Sequence, residues 1–134
     1  CSVARGLGDV YKRQTSGAQI CNTLNSLLSK TSDTRRFQRV TISTAALETS
    51  VRSSLRNDFP LTLNVKEMPN YTSGSGHFIA VKGYYFNTST DFKTITICDP
   101  HPTYSGTYTY TLEEMETAVE SSNGYYNRLD ASTV

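Results

Sequence analysis

From Thr15 onward the apolar positions change period several times, and each change predicts an element. Ile20, Leu24, Leu27 and Leu28 recur at i, i+4, i+7 and i+8, one face of a helix that Ser16 can cap and that ends near Lys30. Phe37 to Ser43 alternates Val40 and Ile42 with Arg39 and Thr41, the two-residue period of a strand. Leu47, Val51 and Leu55 return to helical spacing behind Thr44, a capping residue, and the helix stops before Asp58-Phe59-Pro60. Leu61, Leu63 and Val65 then mark one face of a strand over residues 61–66. A Ser- and Gly-rich loop, Met68 to Gly76, follows.

The most informative stretch runs from Gly76 to Pro100. His77 opens an apolar strand of ten residues and Asp99 closes a second one, with the polar turn Asn87-Thr88-Ser89-Thr90-Asp91 between them. The outer ends of an antiparallel hairpin meet, so His77 and Asp99 are expected within a few residues of facing each other. After Pro100 the pattern predicts a short strand at residues 107–111, a helix from Leu112 to Ser121 closed by Asn123-Gly124, and a last edge strand from Tyr125 to Leu129. Tyr104 to Tyr110 reads as an exposed strand pair with aromatic cross-strand contacts. The sum is an α+β domain, an antiparallel sheet with helices on one side or end.

A chain of 134 residues with 37% hydrophobic side chains suits one domain with one core. No apolar run is long enough to span a membrane. Thirteen basic and twelve acidic side chains, spread along the chain, leave no basic footprint for nucleic acid or acidic lipid. Sixteen Ser, nineteen Thr and nine Tyr give a hydroxyl-rich surface, a composition found in secreted or cell-surface bacterial proteins, and an extracellular or surface location is the expectation. Cys1, Cys21 and Cys98 are odd in number and widely spaced, which matches neither a disulfide framework nor a CxxC metal site.

Residues 1 to 14 stand apart. Arg5-Gly6-Leu7-Gly8-Asp9-Val10-Tyr11-Lys12-Arg13-Gln14 resembles the in-frame translation of a transposase adaptor used to build sequencing libraries, so residues 1–14 are read as a non-native scar and residues 15–134 as the domain. Removing the scar's three basic residues and one acidic residue turns a net charge of +1 into −1.

The ordered set Gly76-His77-Phe78, Ala80-Val81-Lys82-Gly83-Tyr84, Asp99-Pro100 and Leu112-Glu113-Glu114-Met115, preceded by Phe59-Pro60-Leu61-Thr62-Leu63-Asn64-Val65, resembles the C-terminal part of papain-like cysteine peptidases of the bacteriocin-processing, double-glycine-leader type. The resemblance covers about residues 45 to 120. It implies a papain-like fold, a peptide or protein substrate and no cofactor, with His77 as general base and Asp99 as the carboxylate that orients it. It also implies a nucleophilic Cys within Cys-Gly-Pro at the start of a helix, with an oxyanion-hole Gln before it. No Cys-Gly-Pro occurs here. The expectation is therefore a domain truncated before Thr15, lacking its N-terminal nucleophile helix and inactive as it stands.

The chemistry explains the residue types. A Cys attacks an acyl carbon as thiolate, an adjacent His stabilises that thiolate and protonates the leaving amine, and a carboxylate on the other ring nitrogen fixes the tautomer. Each residue also has a plainer role. His77 as a buried strand-start His bonded to a carbonyl, and Asp99 as a turn residue before Pro, are the alternatives to catalysis. Cys21, 56 residues before His77, is expected to be a small apolar helix residue rather than the nucleophile. Gln14 and Gln19 are weak oxyanion donors, Cys98 is expected in the core, and His101 with His77, Cys98 and Asp99 matches no standard zinc spacing. Two function classes remain: a cysteine peptidase domain, or a non-catalytic cell-surface binding module on the same fold.

Overall fold

In a computed structural model the described residues are 16–130; the adaptor-like segment, Cys1, Gln14 and Thr15 lie outside them. The order of elements is α1 (Gly17–Leu28), β1 (Arg36–Thr41), α2 (Thr44–Arg56), β2 (Leu61–Met68), β3 (Tyr71–Phe86), β4 (Lys93–Asp99), β5 (Gly106–Thr111), α3 (Leu112–Glu120) and β6 (Tyr125–Asp130). The fold is α+β: among the described residues six antiparallel strands form one sheet in the order β1-β6-β2-β3-β4-β5, with three helices.

Local chemistry sets the helix starts. Ser16 and Gln19 close a reciprocal capping box on α1, and Thr111 and Glu114 do the same on α3. Ser43, not Thr44, caps α2, accepting from the Ala46 amide. The Asn87–Phe92 turn is closed by the Asn87 amide on Phe92 O and by the Asn87 side chain, which accepts from Ser89 and Thr90.

The helices cover both faces of the sheet, not one. On the first face α2 and α3 bury Leu47, Val51, Met115, Ala118 and Val119 against Leu61, Leu63, Val65, Ile79, Ile95, Ile97 and Tyr126. On the second, Ile20 of α1 meets Phe78, and Cys21 meets Phe37 and Leu129. Strand alternation makes this consistent: Phe78 and Leu129 lie one step from Ile79 and three from Tyr126, so they point the other way.

Two further expectations are corrected. β6 is interior, pairing with β1 on one side and β2 on the other, because both of its flanks find distant partners. Residues 71–76, expected as loop, belong to β3, which turns back from β2 through Pro69 and Asn70 alone. Among the described residues no helix is long and apolar enough to cross a membrane.

Candidate catalytic site

The β2–β3 pairing breaks in one place. Val65 pairs with His77 and Glu67 with Thr72, so the four residues Ser73 to Gly76 lie opposite Lys66 alone. The excess bulges out and is pinned by the Ser73 hydroxyl, which donates to Gly76 O at 3.0 Å. Gly76 leaves the bulge at φ +96, a conformation L side chains rarely adopt. That is the physical reason for glycine before His77. Bulges of this kind re-aim the side chains that follow them.

His77 faces the first, main-core side, directly opposite Val65, and is 0% exposed. β4 brings Asp99, 2% exposed, to the same end of the sheet and the same face as Ile97. His77 Nε2 lies 2.6 Å from Asp99 Oδ1. Asp99 also accepts from the Tyr71 hydroxyl, on Oδ2 at 2.5 Å, and from the His101 amide, on Oδ1 at 2.8 Å. Burial works to raise the Asp99 pKa, but the hydrogen bonds from His77, Tyr71 and His101 outweigh it and hold the carboxyl below its ordinary value. An ionised carboxylate only accepts, so Nε2 carries the hydrogen between the pair and Nδ1 is the nitrogen on the far side of the ring.

Aromatic rings wall the pair. Tyr71 stacks on Tyr104 with centroids 4.7 Å apart and planes at 4°, and His101 tilts against Tyr71 at 4.6 Å and meets His77 edge-on at 5.4 Å. His101 Nδ1 accepts from the amides of Thr103 and Tyr104, which ties the turn carrying Tyr104 to the site. Burial pushes the Tyr71 phenol well above its ordinary range, helped by the hydrogen bond to Asp99. It lowers the His101 pKa below 6.5, with the neighbouring His77 adding to the effect.

The other sequence candidates are placed elsewhere. Cys21 lies against β1 on the second face, its thiol donating to Phe37 O at 3.3 Å. Three strand spacings separate β1 from β3, about 14 Å, and the sheet itself stands between Cys21 and His77. Cys21 is therefore not the partner of His77. Gln19 is consumed by the α1 cap, its Oε1 accepting from the Ser16 amide at 2.6 Å. Cys98 is buried on β4 one residue before Asp99, so it points to the second face. Tyr104 precedes β5 and stacks on Tyr71 instead of forming an exposed strand pair. Among the described residues no group of three or more His, Cys, Asp or Glu is placed to hold a metal.

Sequence reasoning missed Tyr71. Its distance from Asp99 in the chain and the loop-like Ser-Gly run after it gave no signal of the contact. Comparison with known proteins finds no matching family model, no matching curated protein and no matching solved structure.

Proposed function

We propose that this chain is the base-bearing part of a papain-like cysteine peptidase, with His77 as general base and acid and Asp99 as its orienting carboxylate. One observation carries the reading: a fully buried His whose Nε2 is held 2.6 Å from a carboxylate at the open ends of a hairpin. With Nε2–H committed to Asp99, proton exchange falls to Nδ1. The nucleophile comes from outside residues 16–130, since Cys21 and Cys98 both lie on the second face, away from His77.

The reaction then follows ordinary acyl transfer. A thiolate attacks the carbonyl carbon of a peptide bond, a C–S bond forms, and the imidazolium of His77 gives its proton to the departing amine as the C–N bond breaks. His77 next takes a proton from water, whose oxygen attacks the thioester carbon as the C–S bond breaks, releasing the acid and restoring the thiolate beside the imidazolium. No cofactor takes part, and the substrate is a peptide or protein met at or outside the surface of a bacterium.

A second reading draws on the complete burial of His77 and Asp99: a binding module on the same fold in which the pair is structural. The genomic sequence encoding whatever lies before residue 15 separates the two. A Gln and Cys-Gly-Pro before residue 15, and hydrolysis of fluorogenic peptides by that longer chain that falls by several orders of magnitude in His77→Ala, support the peptidase. An upstream segment without Cys, or full activity in His77→Ala, overturns it.

A further inference from the structure

We propose that Tyr71 is a positioning residue of this site: its hydroxyl, held on Asp99 Oδ2, sets the plane of the carboxylate and through it the ring of His77. The functional consequence rests on the reading of His77 as the general base; the positioning itself does not.

The geometry makes Tyr71 more than a neighbour. Six residues of regular strand would separate Tyr71 from His77 by about 20 Å, yet their ring centroids are 6.1 Å apart. The Ser73–Gly76 bulge takes up the difference. The same irregularity that aims His77 therefore returns Tyr71 to the site, and one device places both groups on Asp99.

The Asp99 carboxylate has little freedom of its own. Its terminal torsion is a broad, roughly two-fold well, and only its partners choose the angle. Oδ1 is shared by His77 Nε2 and the His101 amide, at 2.6 and 2.8 Å, while Tyr71 at 2.5 Å holds Oδ2. With donors on both oxygens the carboxylate cannot turn without breaking a charge-assisted bond inside a buried site. Removing the Tyr71 hydroxyl releases one side of that clamp. The ring of Tyr71 is itself fixed, stacked on Tyr104 and tilted against His101, so the hydroxyl is presented in one place.

Tyr71→Phe tests this, because it keeps the stacked ring and deletes the donor. The chain has two His, so imidazole 15N signals assign readily, with His101→Gln identifying His77. Wild type should show His77 in the Nε2–H tautomer, and a folded Tyr71→Phe should show a measurable Nδ1–H population or exchange broadening. In the longer, nucleophile-bearing chain, the same variant should lower kcat about 10- to 100-fold with KM unchanged, the scale typical of partners that orient a site's inner groups. A role in packing alone predicts unchanged His77 signals, and that result overturns the proposal. Should Tyr71→Phe fail to fold, the wild-type chain decides: the Tyr71 hydroxyl proton should give a slowly exchanging downfield resonance, and a rapidly exchanging one overturns the assignment. If His77 signals respond to Tyr71→Phe while His77→Ala stays fully active, the peptidase reading fails and the positioning stands. If His77→Ala is dead and Tyr71→Phe changes neither signals nor kcat, the positioning alone fails.

Discussion

Cys21 and His77 occupy opposite faces of one sheet, the first against β1 and the second on β3. Burial raises the Cys21 pKa, against a smaller opposing pull from Arg39, so its thiol is protonated and shielded at neutral pH. Alkylation by iodoacetamide, followed at Cys21 by peptide mass spectrometry, should be at least about ten-fold slower than in the unfolded chain. Cys21→Ala should cost about 1 kcal/mol in urea unfolding, because Asn25 Nδ2 still donates to Phe37 O at 2.9 Å. A fast-reacting Cys21 contradicts this placement.

Gly76 supports the site through its backbone. An added Cβ would meet Ser122 Oγ at 3.4 Å and Val65 O at 3.6 Å, ordinary contacts, so the cost of Gly76→Ala lies in its φ of +96. Destabilisation of about 1–3 kcal/mol is expected. Gly74, in the same bulge with nothing within 4 Å of its added Cβ, is the control: Gly74→Ala should change stability by no more than about 0.5 kcal/mol. Equal effects at the two positions would remove the conformational argument.

Acid should weaken the fold in two stages. His101 is held below 6.5 and Asp99 below 3.8 in the folded state, so at low pH the unfolded chain binds more protons at both. Their contributions are complete above the unfolded values and are lost as pH falls through the folded ones. Urea midpoints should decline first below about pH 6.5 and more steeply below about pH 4. His101→Gln should flatten the upper stage and Asp99→Asn the lower. A midpoint that stays level down to pH 3 would rule this out.

At the alkaline end the sign reverses. Tyr71 and Tyr126 both have raised pKa values, chiefly through burial, so the folded state resists ionisation and stability present below pH 10 is lost as pH climbs above it. Absorbance at 295 nm should titrate in two phases, with the buried tyrosines among the nine ionising only as circular dichroism reports unfolding. A single smooth phase in a chain that remains folded would count against the buried placement of both rings.

How much of this was legible in the chain depends on distance along it. The three helices and most strands follow from local period and caps, and the meeting of His77 with Asp99 follows from one hairpin whose turn and strands are contiguous. Tyr71 is different: its approach to the site depends on a bulge, and Tyr-Thr-Ser-Gly-Ser-Gly carries the composition of a loop even where it hydrogen-bonds as strand. β6 was legible as a strand but not as an interior one, since its neighbours β1 and β2 are remote in sequence. The placement of α1 on the second face depends on which way Phe37, Phe78 and Leu129 point. That is a matter of register across the whole sheet, beyond the reach of any single window.

The interior position of β6 has a consequence for how the chain reaches this structure. β1 is joined to the rest of the sheet through β6, so during synthesis β1 emerges early with no pairing strand, and α1 with no sheet partner in the meander but Phe78, until residues 125–130 leave the ribosome. The β2-β3-β4-β5 meander with α3 can assemble in sequence as it appears, whereas attachment of the first two elements is delayed to the end. In that interval Cys21 of α1 and Phe37 of β1 lack Leu129, their partner on β6, and a ribosome stalled after α3 but before β6 should leave a protease-sensitive N-terminal third beside a protected meander.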